Sequence, residues 1–81
     1  MQRTQKELPM STLPPDQQIR YLEVLDAATR LFGGDLDSAL NWMSRPIDAL
    51  GGKTPASMIT TKLETHTIID FIWRLEHGFV A

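Results

Sequence analysis

The segment from Trp42 to Pro55, with the sequence WMSRPIDALGGKTP, restricts the fold of this chain more than any other segment. Pro46 and Pro55 hold φ near the helical value, which suits the first turn of a helix. Gly51 and Gly52 lie between the prolines and accept the positive φ that ends a short helix. The segment therefore predicts a corner, a one-turn helix and a second corner between two longer helices.

The residues on either side of this segment carry helix signals. Pro15 suits a first helical residue, and Gly33-Gly34 ends the helix that begins there. Asp35, Thr54 and Thr61 each precede a predicted helix and have side chains that cap helix N-termini. These signals predict an all-α fold, a small bundle of four to five helices with a disordered N-terminal arm. The predicted helices cover residues 15–32, 36–43, 46–50, 55–60 and 62–77, the flexible arm residues 1–13, and the helical domain residues 14–81.

The first predicted helix has apolar residues on two sides. Helical spacing places one set on a shared face, which we expect to pack on the core: Ile19, Leu22, Leu25, Thr29 and Phe32. A second set lies nearly opposite: Val24, Ala27 and Leu31. Two interpretations of the second face stay open, a neighbouring segment of the same chain that covers it and a self-association contact between subunits.

Length and charge exclude several classes of protein. A chain of 81 residues forms one domain, and its formal net charge of −2 argues against a dedicated nucleic-acid module. The chain has no cysteine, so it has neither disulfides nor thiolate metal ligands. No apolar run approaches the ~20 residues of a membrane span, and no signal peptide is visible, so a cytoplasmic protein is the simplest interpretation.

The residue patterns of catalytic and cofactor sites are missing from the sequence. His66 and His77 lie about three helical turns apart, too far to share one metal ion. No phosphate-binding loop and no nucleophile elbow occurs. We therefore expect a protein that is not an enzyme and that uses neither a metal nor a cofactor. Trp73, on the shoulder of the last predicted helix, is either an interface anchor or a partly buried side chain.

The central segment and several short blocks around it resemble one protein family. The blocks are Leu31-Phe32-Gly33, Ala39, Asn41-Trp42-Met43, Pro46, Leu50-Gly51-Gly52, Thr54-Pro55, Thr61 and Leu75-Glu76-His77-Gly78. In these residues, and over about residues 22–81, the chain is similar to the toxin-binding domain of Xre/MbcA/ParS antitoxins. The resemblance implies an antitoxin of a type II toxin–antitoxin system that neutralises a RES-type toxin. Such toxins consume NAD, so the toxin and not this chain would be the enzyme.

The resemblance also implies where the toxin binds. In this family the last helix and the chain end occlude the toxin's active site, which gives a toxin-binding set of Trp73, Arg74, His77, Gly78, Phe79, Val80 and Ala81. The remaining matches form a structural motif: Trp42, Pro46, Leu50, Gly51, Gly52, Thr54 and Pro55. Phe79 has an alternative place, because it falls on the same helical side as Ile72 and Leu75 and can pack there.

The implied partners are a RES-domain toxin and further copies of the chain, in a homodimer or a hetero-oligomer with the toxin. Family members often carry a helix-turn-helix domain ahead of this one, and no such domain is visible here, so DNA binding is doubtful. The alternative function is a free-standing helical oligomerisation module without a toxin partner. The apolar face of Val24, Ala27 and Leu31 motivates this alternative.

Overall fold

Three α-helices form the fold in the computed structural model, which describes residues 12–78. They are α1 (Pro15–Leu31), α2 (Leu36–Met43) and α3 (Lys62–His77), and no strand occurs among the described residues. The mostly helical prediction is confirmed, but the prediction of four to five helices is wrong. Predicted helices 46–50 and 55–60 are instead single 3-10 turns at Asp48–Leu50 and Pro55–Ser57.

Two of the three predicted N-caps form as expected. The Asp35 carboxylate accepts a hydrogen bond from the Ser38 backbone N–H at 3.1 Å. The Thr61 hydroxyl oxygen accepts one from the Glu64 backbone N–H, also at 3.1 Å. The prediction that Thr54 caps a helix is wrong, because its side chain makes no capping bond at the turn that follows. A 3-10 turn of three residues leaves few backbone N–H groups for a cap to satisfy.

The connector between α2 and α3 closes on itself through backbone hydrogen bonds. The Ile47 N–H donates to the Lys53 carbonyl at 3.0 Å, and the Gly52 N–H donates to the Ile47 carbonyl at 2.9 Å. Gly51 and Gly52 have the predicted positive φ, 72° and 83°. A Cβ at Gly51 would contact nothing within 4 Å, so the backbone conformation alone favours glycine there.

The hydrophobic core lies where α1 packs against both α2 and α3. Its buried apolar residues are Tyr21, Val24, Ala27, Ala28, Ala39, Met43, Met58, Ile59, Ile68 and Ile72. Three of these are alanines, whose short side chains let helix backbones approach closely. Leu13, predicted to belong to the arm, packs against this core, while residues 1–11 of that arm lie outside the described residues.

The structure exposes part of the predicted core face of α1, although Leu25 of that face packs partly against the core. Val24 is fully buried, whereas Ile19 is 60% and Leu22 48% exposed. The prediction that Ile19 and Leu22 face the core is therefore wrong. Ala27 is buried too, and Leu31 packs partly against the core, so the chain itself covers this face. Val24, Ala27 and Leu31 are therefore not the free self-association surface that we considered.

Other predicted core positions divide in the same way. Helical spacing also predicts that Leu36 of α2 faces the core, but Leu36 is about half exposed. Phe32 lies at the edge of the core beside Trp42. The same spacing predicts that Ile68 and Ile72 of α3 face the core, and both are buried, with Ile69 and Phe71 partly buried around them.

Arg20 joins α1 to the segment that precedes α3. Its Nε donates to the Ile59 carbonyl at 2.8 Å and its Nη2 to the Thr60 carbonyl at 3.0 Å. The same guanidinium forms an ion pair with Asp16 at 3.0 Å. These contacts fix the start of α3 against the first turns of α1.

Candidate functional site

The last turns of α3 carry those predicted toxin-binding residues that the structure describes. Trp73 is 57% exposed, and Arg74, His77 and Gly78 are exposed as well. On the same helix Ile68 and Ile72 are buried in the core. The helix is thus held in the core on one side and leaves these residues exposed on the other.

Trp73 and His77 pack on each other one helical turn apart. Their ring centroids are 4.3 Å apart and the ring planes are inclined by 39°. This contact restricts the rotamers of both side chains while more than half of the Trp73 surface stays in water. A large aromatic side chain already held in place loses little conformational entropy when a partner covers it.

Arg74 forms an ion pair with Asp70 across one turn of α3, with Nη2 and Oδ2 3.0 Å apart. Both side chains are more than half exposed, so the pair contributes little to folding stability. A carboxylate of a partner could therefore replace Asp70 at small cost.

Gly78 ends α3 with φ at 80°, in the region that favours glycine. The predicted site residues Phe79, Val80 and Ala81 lie outside the described residues. The alternative prediction, that Phe79 packs beside Ile72 and Leu75, also concerns a residue outside the described ones.

A groove of about 660 Å³ runs between α1 and α3. Its lining residues are Glu23, Asp26, Ala27 and Arg30 on α1, and Thr65, His66, Ile69, Asp70 and Trp73 on α3. We call this feature, together with its continuation towards His77, the α1–α3 groove. The continuation is a cleft of about 220 Å³ that shares Ala27, Arg30, Ile69 and Trp73 and adds Ile72, Glu76 and His77.

Among the residues of the α1–α3 groove, the sequence predicted Trp73 and His77 as toxin-binding residues and Ala27 as a possible self-association residue, but it did not predict the groove itself. One signal was present: Glu23, Asp26 and Arg30 follow each other at helical spacing along α1. That spacing indicates a polar stripe, but the sequence does not show that α3 lies beside it.

The structural motif in the connector lies apart from this groove. Pro55 is buried, and Trp42 and Leu50 pack partly against the core, whereas Pro46 is exposed. Trp42 contacts Phe32 edge to face, with ring centroids 6.2 Å apart. The contact of Trp42 with Phe32 joins the end of α2 to the end of α1, and these positions give the motif a role in packing.

Among the described residues, two titratable groups have a pKa shifted from its ordinary value. Burial raises the pKa of the Tyr21 phenol. Hydrogen bonds from Ser38, from its backbone N–H first and then from its hydroxyl, lower the pKa of the Asp35 carboxyl. Neither residue lines the α1–α3 groove.

The described residues contain no cluster of three or more metal-ligating side chains and no helix long and apolar enough to cross a membrane. The exposed groups of the groove and of the α3 end are apolar, aromatic and ionic side chains. Such a surface suits binding to another macromolecule.

Comparisons with known proteins find one family and several relatives. Residues 27–78 match the family described as the antitoxin Xre/MbcA/ParS C-terminal toxin-binding domain. A protein named antitoxin Xre from Yersinia enterocolitica is 48% identical over 59 residues, which are 73% of this chain and 40% of the relative. Another antitoxin Xre, from Photorhabdus laumondii, is 45% identical over 62 residues, 76% of this chain and 42% of the relative.

A third antitoxin Xre, from Pseudomonas putida, is 25% identical over 77 residues, which are 95% of this chain and 48% of that relative. The chain thus spans less than half the length of the relatives that it matches. The family match covers residues 27–31 of α1, all of α2 and α3, and the connector.

Proposed function

Because this chain belongs to the family of Xre/MbcA/ParS antitoxin C-terminal toxin-binding domains, we propose that it neutralises a RES-type toxin that consumes NAD. The toxin is then the enzyme, and this chain is its inhibitor. Its place of action is the cytoplasm, where the toxin would meet NAD.

The observation that carries the proposal is the exposed Trp73 stacked on His77 at the end of α3. Interface residues that contribute most to affinity are enriched in tryptophan, tyrosine and arginine. Trp73 and Arg74 supply two of these residue types on adjacent positions of a helix whose opposite face is anchored in the core. Family membership supports a toxin as the partner, and this geometry supports the end of α3 as the surface that binds it.

Occlusion of the active site is the proposed mechanism. The end of α3 would cover the toxin's cleft, and Phe79, Val80 and Ala81 would enter it. Two apolar side chains in this tail gain free energy by leaving water, which favours their burial in a partner. NAD and the tail would then compete for one site.

The decisive experiment co-expresses the toxin with wild-type antitoxin or with a variant, and measures growth, NAD content and affinity. Trp73→Ala is expected to abolish growth rescue and to weaken toxin binding by about tenfold or more, as expected for a residue central to an interface. Leu63→Ala is the matched control, since Leu63 is a 78% exposed apolar residue of the same helix at its other end. Equal behaviour of the two variants contradicts the proposed surface, and absence of any complex with wild type contradicts the function.

Deletion of residues 79–81 tests the role of the tail. If the tail enters the toxin's cleft, inhibition should fall much more than the midpoint of thermal unfolding. A parallel loss of inhibition and stability would instead assign Phe79 to the antitoxin's own core.

One observation favours the second candidate, a free-standing oligomerisation module. Ile19 and Leu22 are exposed at helical spacing on α1, opposite the buried Val24. Under this candidate Leu22→Glu should convert the free protein into monomers. Light scattering that shows the same mass for wild type and variant would rule out this face as a contact.

A further inference from the structure

The α1–α3 groove offers the toxin a contact beyond the end of α3. We propose that it binds a segment of the toxin in which a large apolar side chain is flanked by lysine or arginine. This inference rests on the proposed function, because it takes the toxin as the partner, and it adds the chemistry of the segment that is recognised.

The floor of the groove is apolar and fixed. Ala27 and Ile72 are buried core residues, and Ile69 packs partly against the same core. Ala27 has no side chain beyond Cβ, which leaves a depression between two helices that longer side chains would fill. A volume of about 660 Å³ admits a large aliphatic or aromatic side chain together with neighbouring backbone.

The rim of the groove is predominantly negative. Glu23, Asp26, Asp70 and Glu76 contribute carboxylates, whereas Arg30 is the one lysine or arginine that lines either part of the groove. Arg30 is already paired with Asp26, with Nη2 and Oδ2 3.3 Å apart. The excess of carboxylates favours a cationic partner segment.

Two of the carboxylates are available for such a partner. Among the described residues Glu23 and Glu76 form no ion pair, whereas Asp70 is paired with Arg74. Glu23 lies in the middle of α1 and Glu76 in the last turn of α3, so they mark the two ends of the groove. A toxin segment with one basic residue on each side of its large apolar side chain would bring these residues near Glu23 and Glu76.

Charge also favours the toxin over a second copy of this chain as the occupant. The chain has a formal net charge of −2, so two copies that met at their acidic grooves would bring like charges together. A toxin segment in the groove would at the same time lie beside Trp73, which lines both parts of it. The groove and the end of α3 would then form one continuous interface.

Charge reversal tests the inference. Glu23→Lys and Glu76→Lys are made singly and together, and Asp48→Lys is the control, because Asp48 undergoes the same charge change outside the groove. The affinity of each variant for the purified toxin is measured by calorimetry at several salt concentrations. A lysine in the last turn of α3 interacts favourably with the helix dipole, so lost affinity of Glu76→Lys would not reflect a weaker helix.

We expect each single groove variant to bind the toxin more weakly than Asp48→Lys at low salt, and the double variant to bind about tenfold more weakly than the wild type. These differences should shrink as salt screens the charges. If the wild type binds and the groove variants match the control, the inference is wrong and the proposed function stands. If the groove variants change the mass of the free protein in light scattering but not its affinity for the toxin, the occupant is a second copy. If the wild type does not bind the toxin, the proposed function fails and the inference fails with it.

Discussion

Single polar side chains fix where the helices of this protein begin. Asp35 accepts hydrogen bonds from the Ser38 backbone N–H at 3.1 Å and from the Ser38 hydroxyl at 2.8 Å. These bonds, the backbone one first, hold the pKa of the Asp35 carboxyl below its ordinary value. The charged carboxylate also lies at the positive end of the α2 dipole. The start of α2 is therefore most stable when Asp35 is ionised.

This cap makes the stability of the protein depend on pH in a defined direction. The pKa of Asp35 is lower in the folded state than in the unfolded state, where it is about 4. Ionised Asp35 therefore stabilises the fold above the unfolded pKa, and this contribution is lost as pH falls through the folded pKa.

Asp35→Asn keeps a capping side chain but removes the titrating group. Urea unfolding followed by circular dichroism should show the wild type more stable than this variant at neutral pH, with the difference vanishing in acid. Ser38→Ala removes the hydroxyl donor and keeps the backbone N–H donor. When Ser38→Ala is present in both proteins, the stability difference caused by Asp35→Asn should be smaller but still measurable. A gap between wild type and Asp35→Asn that stays constant with pH would contradict this account of the cap.

At the scale of elements, α1 shows how packing chooses between two apolar faces. Leu22 and Val24 are both apolar residues of the same helix, yet Leu22 is about half exposed and Val24 is fully buried. The buried face includes Ala27 and Ala28, which contribute little volume and let α2 and α3 approach. The larger side chain of Tyr21 is also buried on this side of α1, whereas Ile19 and Leu22 stay exposed on the other side.

The two faces of α1 should respond differently to truncation. Val24→Ala removes buried methyl groups and leaves a cavity, so the free energy of unfolding should fall by about 2 kcal/mol. Leu22→Ala removes more atoms from a half-exposed side chain, and the change should stay within roughly 0.5–1 kcal/mol. Chemical denaturation of both variants measures the difference. A larger loss for Leu22→Ala would mean that the face predicted from sequence is the core after all.

At the scale of the whole molecule, one side chain of α1 sets the position of α3. The Arg20 guanidinium donates to the carbonyls of Ile59 and Thr60, residues 39 and 40 positions further along the chain. Its side chain is only 13% exposed, and both bonds are charge-assisted; the bond to Ile59 is partly buried, whereas the bond to Thr60 is exposed. Because α1 and α3 together form the groove, Arg20 also helps to hold its two walls in place.

Arg20→Lys should therefore weaken the fold although it keeps the charge. A lysine ammonium cannot reproduce the planar arrangement of two donors, and the free energy of unfolding should fall by about 1–2 kcal/mol. Asp16→Asn removes only the exposed partner of the ion pair and should cost less than about 0.5 kcal/mol. Equal losses for the two variants would show that the ion pair, and not the carbonyl contacts, carries the effect.

Only part of the candidate site was predicted from the sequence. Trp73, Arg74, His77 and Gly78 were named through the family resemblance, and the structure exposes all four at the end of α3. The α1–α3 groove was not predicted, because its two walls, exemplified by Glu23 and Asp70, are far apart in the chain and meet only after the helices pack.

Features that depend on neighbouring residues follow from the sequence alone. The bounds of α2 and α3, the caps at Asp35 and Thr61 and the positive φ at Gly51 all follow from interactions within about one helical turn. Packing between distant segments sets which face of α1 is buried, that the two connector segments are 3-10 turns, and where the groove lies. Each of these depends on how closely backbones approach, which is set by volumes brought together from distant parts of the chain.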